Sequence, residues 1–300
     1  MAEIRIKRIL FATDFLESSR LALDYAVAFA SHFQATIVML HVVELSQAAA
    51  EVETVWQVGS RMRAAATKRV HSLADGVKRL GLQVEVLVEE GIPADVILRT
   101  AASNQIDLLV LGVHGVHRGI EHLLIGSNTE KILLEASCPT LTIGAHVLSG
   151  VDLRLHFDEI IYFSDFTPEA TAAAPYAVFF SKEFGAPIDV CQLLPVVAES
   201  SERLRRELAE EYCKSMKLAL NTDDSDWCSP AFQLKRGMEV DQVIKRAQIE
   251  NAGLIVLGVR TESQLGRHLH TSFAYHLLAG ATCPVLSIRR DATNIAKGAA

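Results

Sequence analysis

Long apolar runs are missing from this chain. No stretch approaches the roughly 18–20 residues a helix needs to cross a bilayer. The apolar core of the opening MAEIRIKRILFATDF is far shorter than the apolar region of a signal peptide. Positive charge is in deficit too. The chain has 29 Lys and Arg against 36 Asp and Glu, a formal net charge of −7. That balance argues against a nucleic-acid coat or a polybasic membrane anchor, and leaves room for a small anion at a local positive site. Cysteine is scarce: five residues, an odd number with no CxxC pair, as reduced cytosolic thiols would be, which speaks against disulfides and against a cysteine metal site. The expected place is the cytoplasm, with neither nucleic acid nor membrane as partner.

What the chain has is apolar mass and repetition. Half of its 300 residues are hydrophobic and 22% are charged, enough to fill cores and too apolar for disorder. This length suits two domains of ordinary size. The sequence is in fact written twice. RILFATDFLESSRLALDYAVAFASHFQA from Arg8 answers to EIIYFSDFTPEATAAAPYAVFFSKEFGA from Glu159. EEGIPADVILRTAASNQIDLLVLGV from Glu89 answers to KRGMEVDQVIKRAQIENAGLIVLGV from Lys235, and ASCPTLTI from Ala136 to ATCPVLSI from Ala281. Two similar domains follow, 1–146 and 147–300.

Within each copy short apolar runs alternate with segments of helical spacing. RILFAT reads as a strand buried on both faces. SSRLALDYAVAFASHF reads as a helix, capped by Ser18 or Ser19. ATIVMLHVV is a second strand, a long helix covers 51–80, and LQVEVLV is a third strand. Pro93 suits the first position of the next helix. IDLLVLG is the fourth strand, 127–135 a helix and TLTI the fifth strand. Alternating βα units with right-handed crossovers place helices on both faces of a parallel sheet, an α/β, Rossmann-like fold. In such sheets ligands bind beyond the carboxyl ends of the strands, near the switch in strand order. Asp14 follows the first strand there, His41, Val42 and Val43 end the second, and the loop opening at Gly112 follows the fourth.

That loop reads Gly112-x-x-Gly115, then ten residues, then Gly126-Ser127 at a helix start. Glycines allow close backbone approach, and free N–H groups at a helix N-terminus bind phosphate. The pattern is neither a Walker A loop, since no lysine follows the last glycine, nor GxGxxG. On the residues alone, a phosphate cradle and a plainly capped surface connection stand level.

The whole chain resembles a tandem universal stress protein. Nucleotide-binding members of that family carry a Gly-x2-Gly…Gly-Ser/Thr loop at this place, an aspartate after the first strand as in RILFATDF, and a second strand like MLHVVE. The resemblance implies a five-stranded parallel sheet in the order 3-2-1-4-5 in each domain. It also implies ATP or a related adenine nucleotide as ligand, with Mg²⁺ accompanying the phosphates. Asp14 would contact the ribose, the Val42 backbone would read the adenine edge, and Gly112 would lie against the ribose. Gly115, Gly126, Ser127 and the Asn128 amide would cradle the phosphates. The loop holds one residue more than the family spacing between Gly115 and Gly126. In the second copy Thr261 and Thr271 stand where Gly115 and Gly126 did, and Gln192 and Leu193 replace His41 and Val42. The second domain is therefore expected to lack ATP.

The resemblance further implies a stress-response role as a regulatory binding module, with slow ATP hydrolysis or phosphotransfer by way of Asp14 and a nucleotide-free interaction scaffold as alternatives. The fifth strands are expected at sheet edges, able to pair within the chain as a pseudo-dimer and to support a homodimer. Histidines at 114, 117, 122, 268, 270 and 276 show no metal-ligand spacing. Cys138 and Cys283 fit buried structural thiols better than nucleophiles.

Overall fold

A computed structural model of the chain describes residues 4–44, 53–113, 116–118, 122–147, 155–164, 167–192, 203, 207, 210, 240–249, 252–259 and 275–291. The first half runs β1 (Arg8–Ala12), α1 (Glu17–Phe33), β2 (Thr36–Val43), α2 (Glu53–Lys78), β3 (Val84–Glu90), α3 (Pro93–Ser103) and β4 (Leu108–Gly112). A short antiparallel hairpin follows, β5 (Val116–Arg118) with β6 (His122–Leu124), then α4 (Ser127–Glu135) and β7 (Thr140–Ile143). The second half contributes β8 (Ile160–Ser164), α5 (Pro168–Phe184), β9 (Ile188–Gln192), α6 (Val240–Ile249), β10 (Leu254–Val259) and β11 (Val285–Arg289).

One nine-stranded sheet runs β3-β2-β1-β4-β7-β11-β10-β8-β9. The first five strands are parallel and stand in the order 3-2-1-4-5. The described strands of the second half repeat that order from β11 outward, and the stretch that would supply its third strand lies outside the described residues. The two halves meet where β7 pairs antiparallel with β11, Leu141 opposite Leu286. The Thr142 hydroxyl reinforces this seam by donating to the Val285 carbonyl at 3.1 Å.

Alternation along each strand sorts the side chains onto two faces. Ile9, Phe11, Ile37, Met39, Leu108 and Val110 join the core under α1 and α2, while Leu10, Val38, Leu40, Leu109 and Leu111 join the core under α3 and α4. The α1 face continues across the seam. Phe29 and Phe33 of α1 meet Phe179, Phe180 and Phe184 of α5, with Phe29 edge-on to Phe180 at 5.8 Å. Such aromatic pairs contribute about 0.5–1.5 kcal/mol each beyond the area they bury. α4 straddles the seam on the other face. Its Ile132 packs into the first half's core, and its Leu133 into the core of the second half beside Leu277 and Leu278.

Two sequence expectations change. Ser18 and Ser19 do not cap α1, which begins at Glu17 after Leu16. Asp14 takes over the entry: its Oδ1 accepts the Leu16 N–H at 2.9 Å in an Asx turn, so the serines fall inside the first turn. Both are buried against the sheet, and Ser19 Oγ donates to the Leu16 carbonyl at 2.9 Å. The stretch between Gly115 and Gly126 is not simply loop, since the β5–β6 ladder pairs Val116 with Leu124 and Arg118 with His122.

The close fit of α1 onto β4 rests on Gly112. A Cβ there would lie 2.3 Å from the Ser18 carbonyl carbon and 2.5 Å from the Ser19 nitrogen. Gly258 repeats the contact in the second half, 2.3 Å from the Glu169 carbonyl carbon. Gly126, by contrast, has φ −62° and nothing within 4 Å of an added Cβ. Gly112→Ala and Gly258→Ala should each destabilise the protein by about 1–3 kcal/mol through overpacking, and Gly126→Ala by less than about 0.5 kcal/mol. Urea unfolding of the three variants checks the contrast.

Candidate functional site

The switch in strand order falls between β1 and β4, whose neighbours lead the chain to opposite sides. The crevice beyond their carboxyl ends is where a ligand belongs. Asp14 stands at its rim, exposed and held by the turn it makes with Leu16. Val42 stands beside it on β2. Thr36 N–H donates to Lys7 O and Thr13 N–H to Leu40 O, so even-numbered residues of β2 turn their backbone toward β1. Ile37 N–H donates to Gln83 O and Val43 O accepts from Gly91 N–H, so odd-numbered ones face β3. The β1 ladder ends at the Ala12–Leu40 pair. Val42 thus directs its N–H and C=O past the end of β1.

α4 opens on the same crevice. Glu130 N–H makes the first helix bond, to Gly126 O at 3.0 Å, leaving the Ser127, Asn128 and Thr129 amides without a partner inside the helix. Ser127 is exposed, and no side chain caps the terminus. The Asn128 side chain serves the neighbouring helix instead, its Oδ1 accepting from Ala94 N–H at 3.3 Å. With the Lys131–Asp95 ion pair, this fixes the start of α4 against α3. Negative charge is favoured at such a terminus by the helix dipole and the open amides together.

The sequence-derived candidates separate cleanly. Asp14, Val42, Gly126, Ser127 and the Asn128 amide lie around the carboxyl ends of β1, β2 and β4. Gly112 borders the crevice, and its missing side chain is accounted for by the α1 contact on the other face of the sheet. Gly115 lies outside the described residues, as do Asp165, Leu193, Thr261 and the Thr271-Ser272 pair of the second half. Of the six histidines named above only His276 has a described side chain, and no metal-binding group of His, Cys, Asp or Glu occurs among the described residues.

Sequence reading passed over the support of this turn. His41 Nδ1–H donates to the Thr13 carbonyl at 2.7 Å, and its ring lies 4.4 Å from that of Phe15. The Thr13 hydroxyl sits 3.1 Å from Ser19 Oγ and accepts from Phe15 N–H at 3.0 Å. These bonds fix the backbone on either side of Asp14. Only the LHV pattern of β2 hinted at His41, and nothing local pointed to its partner.

The fold is that of a doubly wound α/β protein, with an α4 N-terminus that no side chain caps. The chain belongs to the universal stress protein family, whose model matches it twice, over residues 5–144 and 156–289. It is 30% identical over 142 residues to Universal stress protein MJ0531 of Methanocaldococcus jannaschii, covering 46% of this chain and 81% of that one. With Universal stress protein MJ0577 of the same organism it shares 23% over 158 residues, 47% of this chain and 96% of the relative. A crystal structure of a universal stress protein from Archaeoglobus fulgidus superposes with a TM-score of 0.70 at 19% identity, covering 97% of this chain and 98% of that one, a likeness of fold. Among the described residues no helix is long and apolar enough to cross a membrane.

Cys138 and Cys283 offer no nucleophile to this crevice. Both are buried, and burial pushes each thiol up to about 12. A thiolate is the reactive form, so in the native chain at pH 8 neither should react with a disulfide reagent within the time a denatured sample reacts fully. Peptide mapping of the labelled protein checks this.

Proposed function

We propose that this chain is a stress-response protein that binds ATP, or a related adenine nucleotide, in its first domain and acts as a regulatory binding module. The observation that carries the reading is Gly126. Neither its backbone angle nor its packing demands glycine, yet it stands at the mouth of α4 where a bound phosphate would need the backbone bare. In this reading Asp14 accepts from the ribose hydroxyls and the Val42 N–H and C=O pair with the adenine edge. The backbone at Gly112 borders the ribose. Gly115, Gly126, Ser127 and the Asn128 amide surround the phosphates, with Mg²⁺ bridging phosphate oxygens while keeping waters of its own.

The additional residue between Gly115 and Gly126 is compatible with this site. It falls in the hairpin segment, whose ladder sets its own register, whereas the start of α4 is anchored separately by Asn128 and Lys131. We also read the division between the domains at 146/147, and the β7–β11 pairing as an intramolecular counterpart of a two-subunit contact, with the degenerate second domain serving the first as scaffold.

The test uses the protein as purified. After denaturation, chromatography of the supernatant should yield about one adenine nucleotide per chain. Calorimetric titration of emptied protein should give saturable ATP binding that falls at least about tenfold in Asp14→Ala, the equivalent of 1.4 kcal/mol. It should vanish in Gly126→Val, with the unfolding midpoint unchanged. A protein purified empty that also ignores added ATP refutes the reading.

A further inference from the structure

The Thr13–Phe15 turn has a second side. On the α1–α2 face of the sheet, opposite the nucleotide crevice, lies a cavity of about 450 Å³, within the roughly 300–1,000 Å³ range of small-molecule sites. Its floor is mainly apolar: Phe11 of β1 is fully buried, Leu23 of α1 and Leu73 of α2 are partly so, and the buried Thr13 and Ser19 hydroxyls beside them are engaged with each other. Its mouth is cationic. Arg20 of α1 and Arg69 of α2 are exposed there beside Ser72, with Glu17 the one carboxylate in the lining. A chain of net charge −7 thus places two guanidinium groups over an apolar recess.

Phe15 forms the wall between this cavity and the turn. It holds φ +66°, a left-handed conformation that a bulky side chain rarely adopts. Contacts on its ring offset that cost: the Arg69 guanidinium carbon stands 4.2 Å from the ring centroid and the His41 ring 4.4 Å away. The stacking also fixes where the Arg69 charge sits. Among the described residues neither Arg20 nor Arg69 has a carboxylate within ion-pair distance, while other arginines such as Arg8, Arg63 and Arg246 do. Arg20 feels Asp24 one turn on only as a more distant charge.

We propose that this cavity binds an amphipathic carboxylate, its head on Arg20 and Arg69 and its apolar body on Phe11, Leu23 and Leu73. Arginine forks suit a carboxylate bidentately, and the floor offers no partner for a second charge. The site is independent of the nucleotide crevice, sharing with it only the turn that carries Asp14.

Calorimetric titration of the full chain with decanoate tests the proposal, with decyltrimethylammonium as the cationic counterpart of equal chain length. One decanoate per chain should bind, and the ammonium should not. The double variant Arg20→Gln/Arg69→Gln should weaken binding at least about tenfold. Ser72→Trp, at an exposed position on α2, should close the mouth and abolish it. Ser72→Trp should retain the wild-type unfolding midpoint, the double variant should stay folded with a slightly lowered one for loss of the Arg69–Phe15 contact, and Gly126→Val should bind decanoate as the wild type does. The proposal is overturned by absence of saturable binding, by equal uptake of the ammonium, by unchanged affinity in either cavity variant, or by loss of binding in Gly126→Val.

Discussion

The distance between the first helix and the sheet governs this structure, and a missing side chain sets it. At Gly112 the backbone of β4 meets the first turn of α1 so closely that a single methyl group would overlap the Ser18 carbonyl. The small residues Ser18 and Ser19 answer it from the helix. Because α1 starts that low on the sheet, the chain leaving β1 has only Thr13 to Leu16 in which to turn. That tightness accounts for the left-handed Phe15 and for the outward placement of Asp14. The second half repeats the arrangement with Gly258 against Glu169 and Ala170. Both copies share this packing requirement although their loops diverge.

One short turn consequently serves two faces. Asp14 stands exposed beyond the carboxyl end of β1, its Oδ1 holding the Leu16 N–H. Phe15 looks into the α1–α2 cavity, stacked with His41 and Arg69. The His41 bond to the Thr13 carbonyl ties the two sides together. Any ligand that moves the Phe15 ring must act on the residue beside Asp14, the shortest available mechanical link between the two regions.

The two halves are joined more extensively than a linker requires. They share the β7–β11 ladder, the phenylalanine cluster of α1 and α5, and the split allegiance of α4, whose Ile132 and Leu133 enter different cores. The helix whose terminus opens on the candidate nucleotide crevice is thereby also part of the seam between the domains. Removing the second half would expose Leu133, Phe29 and one edge of β7, so the first half is not expected to behave as an indifferent fragment.

The sequence by itself determined the local order of strands and helices and the duplication. Each of these is written in short-range periodicity: continuous apolar runs such as RILFA, helical spacing in α1, Pro93 at the head of α3. The places of Asp14, Val42 and Gly126-Ser127 at strand ends and a helix start were legible because such features are local, and in this fold topology brings them to one edge of the sheet. The tertiary structure alone decided the rest. The packing of α1 against Gly112 is announced by no local pattern. Ser18 and Ser19 looked like caps until Asp14 took the turn. The loop after Gly115 became a hairpin, and Arg69 met Phe15 across the space between α2 and α1. These depend on contacts between residues far apart in the chain, whose energies no local pattern encodes, because each side chain's partner is chosen only when the sheet closes and the helices dock.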